Sequence, residues 1–178
     1  MNKTIASKTG KEFVVREPKE GDVEELLEYI NTLVEEDVPI LVNEKQTLEQ
    51  EKRWLKDTLE AIEKGKKVVL LAFDGDRLVG NTQIEKDRWK SDHVGKFGIS
   101  LKKGYRGEGL GTQLTAMVIE EAKDKLGIIK VVLEVFANNP CGLGLYKKLG
   151  FKECGKIPGG VKHRGEFVDR MMMYKDLT

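Results

Sequence analysis

Two segments near the start of the chain carry apolar residues every three or four positions, the spacing of one face of an α-helix. The first segment opens at Asp22, which is followed three residues later by a glutamate, and is predicted to be helical over residues 22–37. The second opens at Thr47, where Gln50 completes the same capping signal, and ends at Gly65. Two amphipathic helices are therefore predicted ahead of the strand-rich part of the chain.

After the second helix the apolar pattern changes to that of β-strands. The apolar run 68–73 is followed by the turn Asp74-Gly75-Asp76 and by a second strand over 77–85, which predicts an antiparallel hairpin. The other predicted elements are a short apolar run over 13–16, strands over 94–101, 128–136, 151–157 and 166–174, helices over 109–126 and 140–149, and a glycine-rich loop over 158–165. The string mixes α and β elements without an internal repeat, so the predicted fold class is α/β (α+β).

Length and charge balance narrow the classes of protein. With 178 residues, one domain spanning 1–178 is expected, and its polar segment 1–11 is expected to be flexible. Lys plus Arg number 31 against 30 for Asp plus Glu, a net charge of +1 that gives no general attraction to nucleic acid or to an anionic membrane surface. The chain shows neither a secretion signal nor an apolar run long enough to span a bilayer. We therefore expect a cytoplasmic protein with neither a nucleic-acid nor a membrane partner.

Cysteine and histidine usage predicts no metal site. The two cysteines, Cys141 and Cys154, show no CxxC spacing, and the two histidines are scattered. Neither a disulfide framework nor a zinc site is indicated. Because no histidine or acid is placed by the sequence to activate Cys141, we expect it to be a small buried residue.

Three alternate glycines, Gly107, Gly109 and Gly111, sit where a predicted strand gives way to a long predicted helix. Without Cβ atoms the chain can turn tightly there and bring free N–H groups against a phosphate, with the helix dipole and Arg106 adding positive potential. The same glycines would also serve as a plain turn and helix cap. The spacing fits neither a dinucleotide GxGxxG directly after a first strand nor a P-loop. The candidate phosphate-binding residues are Arg106, Gly107, Glu108, Gly109, Leu110, Gly111 and Thr112.

The glycine segment is accompanied by a second group of motifs. Together they are Arg106-x-x-Gly109-x-Gly111, Asn139 about 30 residues later, Leu145-Tyr146 and Gly150-Phe151. This combination resembles the GNAT superfamily of acetyl-CoA-dependent N-acetyltransferases. The resemblance implies a GNAT-like fold with a mixed, mostly antiparallel sheet flanked by helices, an acetyltransferase that uses acetyl-CoA and no metal, and Glu134 and Tyr146 as general base and general acid.

The resemblance points to two branches of that superfamily. The spacing around Glu134 is similar to the branch that acetylates protein N-terminal amines, which includes the ribosomal-protein alanine acetyltransferases. The segment 165–174 also resembles branches that acetylate small amines or amino-acid derivatives. The implied acceptor is therefore a primary amine on a protein N-terminus or on a small molecule.

The chemistry of Glu134, Tyr146 and Asn139 can also be considered without the resemblance. Strand alternation sets Glu134 between apolar neighbours, where burial would disfavour its charged form and suit it to accept a proton from an ammonium group. A solvated glutamate on an exposed strand end is the alternative. Tyr146 is either a core aromatic or a phenol that assists departure of the thiolate. Asn139 is either a ligand of the pantetheine arm or a turn residue before Pro140.

The resemblance further implies where the substrates bind. Acetyl-CoA is expected between the strands 94–101 and 128–136. The expected contacts of its pantetheine arm and thiol are Ile99, Ser100, Leu101, Asn139 and Tyr146. A catalytically idle acyl-CoA-binding module of the same fold is the alternative function.

The acceptor is expected between the 38–47 connection and the loop 158–165. In that loop Lys162, His163 and Arg164 would meet an acidic group of the acceptor. The sequence leaves open which acceptor is used and whether the chain forms a homodimer.

Overall fold

The computed structural model describes residues 2–178, which form one eight-stranded sheet and four α-helices. The strands in chain order are β1 (Asn2–Ala6), β2 (Glu12–Arg16), β3 (Lys67–Asp74), β4 (Arg77–Lys86), β5 (Val94–Leu101), β6 (Lys130–Phe136), β7 (Lys152–His163) and β8 (Glu166–Asp176). The helices are α1 (Val23–Glu35), α2 (Leu48–Glu63), α3 (Leu110–Leu126) and α4 (Pro140–Lys148). The predicted succession of helices and strands from residue 13 onward is confirmed.

The sheet is mixed and mostly antiparallel, as expected. Its strands lie in the order β1-β2-β3-β4-β5-β6-β8-β7. Among the strands of residues 2–178, only β5 and β6 pair in parallel. A parallel pair needs a crossover connection rather than a tight turn, and α3 supplies it.

The helices cover both faces of the sheet. Successive residues of β3 point to opposite faces, so Val69 and Leu71 pack with the α1 residue Leu26, whereas Leu70 packs with the α3 residue Leu114. We call these the α1/α2 face and the α3 face. None of the helices formed by residues 2–178 has the length and apolar character needed to cross a membrane.

The strands β5 and β6 diverge along their length. Their pairing runs only from Val94 with Lys130 to Lys96 with Val132. Beyond these pairs β5 remains bonded to β4 on its other side, and β6 remains bonded to β8. The two strand edges that face each other across the resulting gap have no strand partner, so those of their backbone N–H and C=O groups that no side chain contacts are available to a ligand. We call this space the β5/β6 gap.

The two predicted helix starts differ in the structure. Gln50 N–H donates to Thr47 Oγ1 at 3.3 Å and Thr47 N–H donates to Gln50 Oε1 at 2.8 Å, which confirms the second capping box. Asp22 does precede α1, but its side chain does not cap the helix. Its carboxylate instead accepts two hydrogen bonds of 2.7 Å from the Arg16 guanidinium and one of 2.7 Å from Lys19 N–H.

Part of the segment 1–11 forms a strand that the sequence did not predict. Asn2–Ala6 forms β1, which pairs with β2 from Asn2 opposite Arg16 to Ala6 opposite Glu12. Only Ile5 of this strand is buried, at 8% exposure. An edge strand with one buried side chain lacks the apolar alternation from which strands are predicted.

The predicted loop 158–165 is also wrong, because most of it belongs to β7. The strand continues through Pro158 to His163, and the register shifts between Ile157 and Val161. This bulge accommodates the residues that predicted a loop, and β7 lies at the sheet edge, where a proline costs no ladder hydrogen bond. The turn itself is reduced to Arg164 and Gly165, both with positive φ.

Candidate active site

The N-terminus of α3 is built to accept an anion. Its N-cap is Gly109 at φ +88°, and no side chain caps the helix. The first helical bond at this end is donated by Gln113 N–H to Gly109 O, at 3.2 Å. The N–H groups of Leu110, Gly111 and Thr112 therefore have no helical acceptor, and the helix dipole adds positive potential to them.

The glycines of this segment meet two different demands. Gly107 and Gly109 adopt φ of +83° and +88°, which L residues with a side chain rarely adopt. Gly111 has ordinary φ, but a Cβ there would lie 3.4 Å from Leu101 Cδ1 and 3.5 Å from Leu145 Cδ2. It lets α3 pack closely against β5 and α4, so the end of β5 lies beside the start of α3.

The side chains of Arg106 and Glu108 have partners within the chain. Arg106 donates to Leu101 O at 2.8 Å from Nε and 2.6 Å from Nη2, and its Nη2 also donates to Glu36 Oε2 at 2.7 Å. Glu108 Oε2 accepts from Thr9 Oγ1 at 3.0 Å. Arg106 therefore joins β5 to α1, and its expected contribution to phosphate binding stays a prediction.

Lys8 is a candidate phosphate ligand that the sequence did not indicate. It lies in the turn between β1 and β2, and its N–H donates to Glu108 O at 3.0 Å. Its side-chain carbons lie 3.4 to 3.9 Å from the position that a Cβ of Gly109 would occupy. The exposed ammonium of Lys8 is thus carried on the chain segment beside the free N–H groups of α3. No local pattern reveals this, because the two residues are about 100 positions apart in the sequence.

The residues expected to meet the pantetheine arm lie on β5 beside the β5/β6 gap. Tyr29 of α1 donates from its hydroxyl to Ser100 O at 2.7 Å and lies 2.9 Å from Ser100 Oγ. The Arg106 guanidinium donates two hydrogen bonds to Leu101 O. Ile99 packs against the core of the α3 face. The carbonyl oxygens of Ser100 and Leu101 thus already accept hydrogen bonds from side chains, which fixes this edge of β5 in place.

Tyr146 lies where the gap opens on the α3 face. Its ring makes edge contacts with Phe97 and Phe151, at centroid distances of 5.9 and 5.8 Å. Phe97 is the first residue of β5 beyond the last β5–β6 pair. Burial raises the pKa of the Tyr146 phenol to about 12. Among residues 2–178 the hydroxyl has no hydrogen-bond partner, although most buried tyrosine hydroxyls have one.

Glu134 lies two residues beyond the last β5–β6 pair, on the opposite face of the sheet from Tyr146. Its neighbours Leu133 and Val135 pack in the core of the α3 face, so Glu134 points to the α1/α2 face. Of the two environments that the sequence left open, a buried acid and a solvated glutamate, the structure shows the second: the side chain is 46% exposed and its Oε2 lies 3.3 Å from Arg170 Nη1. Strand β6 is open on this side of the gap, which leaves the carboxylate in contact with solvent.

Asn139 serves as the N-cap of α4. Its Oδ1 accepts from Gly142 N–H at 3.0 Å, and a Cβ on Gly142 would lie 2.7 Å from Asn139 Nδ2. This close approach explains a glycine inside α4, where a helix former would be expected. The adjacent Cys141 is exposed rather than buried, so that expectation is wrong.

The charged residues expected to meet the acceptor are partly occupied within the chain. His163 is 8% exposed, with Nε2 at 3.1 Å from Asp37 O and Nδ1 at 3.0 Å from Asn138 Nδ2. Arg164 Nε donates to Asp37 Oδ2 at 3.2 Å. The hairpin of β7 and β8 is thereby fastened to the end of α1, and Lys162 beside it is exposed.

The described residues hold no metal-binding cluster. Across 2–178 no group of three or more His, Cys, Asp or Glu side chains is arranged to hold a metal ion. The groups that surround the gap are instead backbone amides, a phenol, a carboxylate and a guanidinium.

A comparison with known families identifies the fold. The sequence model of the acetyltransferase (GNAT) family matches residues 28–151, more than half of the chain. The chain belongs to the acetyltransferase (GNAT) family. The matched region contains the glycine segment, both strands of the β5/β6 gap, Glu134 and Tyr146. It does not contain β1, Lys8 or Arg170.

Two proteins that are similar to this chain are named N-acetyltransferases, and a further solved structure shares its fold. The L-amino acid N-acetyltransferase AaaT of Escherichia coli (strain K12) is 31% identical over 110 residues, which are 61% of this chain and 67% of that protein. The ribosomal-protein-alanine N-acetyltransferase of Brucella melitensis is 27% identical, with a TM-score of 0.80 over 92% of this chain and 99% of that one. The yncA protein of Salmonella typhimurium, solved with its cofactor acetyl-CoA, shares the fold at 20% identity, with a TM-score of 0.80 over 93% of this chain and 94% of that one. The resemblance given by the motifs is confirmed at the level of the family and of the fold.

Proposed function

We propose that the protein transfers the acetyl group of acetyl-CoA directly to a primary amine while both are bound. The observation that carries the proposal is the β5/β6 gap, which has the uncapped start of α3 at one end and Tyr146 and Glu134 where the strands part. The relatives named above support the same reaction class, since one is an L-amino acid N-acetyltransferase and another is a ribosomal-protein-alanine N-acetyltransferase.

The cofactor would be held mainly by backbone groups. The N–H groups of Leu110, Gly111 and Thr112 face an anion without competition from a cap, which suits the pyrophosphate of CoA. The unpaired edge of β5 offers main-chain groups to the amides of the pantetheine arm. Acetyl-CoA supplies an acetyl thioester whose carbonyl carbon is the electrophile.

The amine must lose a proton before or as it attacks that carbon. An α-amine with a pKa near 8 is neutral in roughly one molecule in ten at pH 7, whereas a lysine with a pKa near 10.4 is neutral in about one in a few thousand. Glu134 is within reach of water, so it can take the proton directly or through a water molecule. Its exposed position suits an α-amine, which needs only modest help.

Tyr146 would act on the leaving sulfur. The N–C bond forms as the C–S bond breaks, and the electron pair goes to a thiolate whose parent thiol has a pKa near 8.5. Because burial raises the pKa of Tyr146 to about 12, complete proton transfer to that thiolate is unfavourable. The phenol instead keeps its proton and donates a hydrogen bond to the sulfur, with solvent completing the protonation.

The reaction is tested by following CoA thiol release with a panel of amines, and by mass analysis of the acetylated product. We expect Glu134→Gln to lower kcat by about 10- to 100-fold at pH 7 and less at higher pH, where the amine is already neutral. Tyr146→Phe should lower kcat with little change in CoA affinity. Glu12→Gln, which removes an exposed carboxylate of β2, is the matched control and should behave as wild type.

Two outcomes contradict this proposal. Turnover of Glu134→Gln equal to wild type at every pH removes the base assignment. Tight CoA binding with no acetylated product from any amine indicates an idle acyl-CoA-binding module instead.

A further inference from the structure

Three buried polar atoms without hydrogen-bond partners lie on β4 and β8, the strands next to the two that border the β5/β6 gap. They are Asn81 Oδ1, Gln83 Oε1 and Arg170 Nε, and no other side-chain atom in the described chain is buried and unsatisfied in this way. Leaving such atoms unpaired is costly unless a ligand or water completes them. Their common location therefore points to a polar ligand.

The register of the sheet brings these residues to one face. Asn81 and Gln83 pair with Leu71 and Val69, which pack with α1 and α2, so both amides point to the α1/α2 face. Arg170 is the partner of Phe136, which lies on the same face of β6 as Glu134. The acceptor would approach from this face, since Tyr146 lies on the other.

The four polar side chains occupy two neighbouring rows that cross the gap. In the first row Gln83 is opposite Gly98 on β5, and Glu134 is opposite Met172 on β8. Gly98 has no side chain that could cover the amide of Gln83. A Cβ built on Gly98 would lie 3.9 Å from Gln83 Cγ and Nε2. The first row thus holds an amide on one side of the gap and a carboxylate on the other.

The second row also has an amide on the β5 side of the gap, but on the other side it has a guanidinium instead of a carboxylate. Asn81 is opposite Ser100 on β5, and Arg170 is opposite Phe136 on β6. The two rows are linked where Glu134 Oε2 lies 3.3 Å from Arg170 Nη1. A negative and a positive group thus lie side by side on the β6 side of the gap, and two amides lie in the same rows on the β5 side.

From this arrangement we propose that the acceptor is a free α-amino acid, whose ammonium group is bound by Glu134 and the amide oxygens of Asn81 and Gln83 and whose carboxylate is bound by Arg170. This inference rests on the proposed acetyltransferase function and narrows its acceptor. An α-amino acid carries a positive ammonium and a negative carboxylate on the same carbon. The negative Glu134 and the positive Arg170 also lie close together, so each could bind the group of opposite charge. A guanidinium can bind a carboxylate through Nε and one Nη together, which would complete the buried Nε.

A peptide N-terminus fits this face less well. Its α-amine is followed by a neutral amide carbonyl, which accepts hydrogen bonds but brings no charge to Arg170. A site built around a guanidinium discriminates against an analogue that lacks the matching group, because the buried donor is then left unpaired. The free carboxylate is therefore the feature that the acceptor needs.

The test compares each of a set of free L-amino acids with its carboxamide and with a tetrapeptide that begins with the same residue. We expect kcat/KM to favour the free acid over the carboxamide by about tenfold or more. Arg170→Gln should lower kcat/KM for the free acid by about 10- to 100-fold and change that for the carboxamide by less than about twofold. Arg88→Gln, which removes an exposed guanidinium in the β4–β5 connection, is the matched control and should leave the acid-to-amide ratio unchanged.

The outcomes separate this inference from the proposed function. Peptides or carboxamides acetylated as well as the free acids, or equal losses for acid and amide in Arg170→Gln, overturn the amino-acid assignment and leave the acetyltransferase function standing. CoA binding without acetylation of any acceptor in the set overturns both.

Discussion

The ionisation of a single side chain in this protein depends on its hydrogen-bond partners. Burial alone would raise the pKa of the Asp22 carboxyl, but the Arg16 guanidinium and the Lys19 N–H outweigh that effect and hold the pKa below its usual value. The charged form of the Asp22 carboxyl is therefore more stable in the folded chain than in the unfolded chain. It joins β2 to the start of α1.

The sign of this pKa shift sets a pH dependence. A lowered folded-state pKa stabilises the fold above the usual aspartate value of 3.8, and the stabilisation is lost as the pH falls through the lower folded-state value. We expect Asp22→Asn to lower the free energy of unfolding by about 2 kcal/mol at pH 7. Urea unfolding at pH 7 and pH 3 measures the change, and the difference between wild type and variant should shrink at pH 3.

Asp57→Asn provides the control for this prediction, since Asp57 is an exposed residue of α2. It should unfold as wild type does at both pH values. A destabilisation of Asp22→Asn that is the same at pH 7 and pH 3 would contradict the role given to the charged carboxylate.

At the scale of elements, the hairpin of β1 and β2 reaches the start of α3. Lys8 N–H bonds to Glu108 O at 3.0 Å, Thr9 Oγ1 to Glu108 Oε2 at 3.0 Å, and Gln113 Nε2 to Ala6 O at 2.8 Å. These contacts hold the turn of the hairpin against the glycine segment. The exposed ammonium of Lys8 is thereby carried near the N-terminus of α3, where the helix dipole is positive.

Reversing this charge should weaken cofactor binding. We expect Lys8→Glu to raise the Kd for CoA by about three- to tenfold at low salt, with a smaller effect at high salt because exposed charges are screened. Isothermal titration at two ionic strengths measures both quantities. Lys90→Glu makes the same change at an exposed lysine in the β4–β5 connection, at the other end of β5 from the α3 start, and should bind CoA as wild type does. Equal affinities for Lys8→Glu and Lys90→Glu would exclude Lys8 from the phosphate site.

Elements that signal themselves locally were predictable from the sequence. The strand β3 contains a continuous apolar run and is joined to β4 by an Asp-Gly turn, and α3 ends before Gly127, which has a φ of +64°. β1 was not predictable, because four of its five residues are exposed. β7 was predicted too short, since a bulge at the sheet edge absorbs the Pro158 and glycine signals.

The site was predictable to the same extent. The glycine segment, Glu134 and Tyr146 follow from local motifs, whereas the Glu134–Arg170 contact and the approach of Lys8 to Gly109 join distant parts of the chain. The exposure of Glu134 depends on the divergence of β5 and β6, and no periodicity reports where two strands part. Local patterns therefore point to the residues of the proposed cofactor side, whereas the contacts on the proposed acceptor side depend on the fold.

For the molecule as a whole, the sheet is divided by the β5/β6 gap into two paired halves. Strands β1 to β5 form one half and β6 to β8 the other, joined by three residue pairs at the start of the gap. A ligand that fills the gap would bond to both halves. Binding of CoA should therefore stabilise the folded state as a whole.

The central claim is that this gap binds acetyl-CoA, and thermal unfolding with acetyl-CoA, CoA or NADH tests it most directly. A ligand at 100 times its Kd stabilises the folded state by about 2.7 kcal/mol, which for a chain of this size raises Tm by about 5 to 10 °C. We expect that rise with acetyl-CoA and with CoA and no rise with NADH. An unchanged Tm with both CoA ligands, or a rise with NADH alone, would contradict the account of the gap.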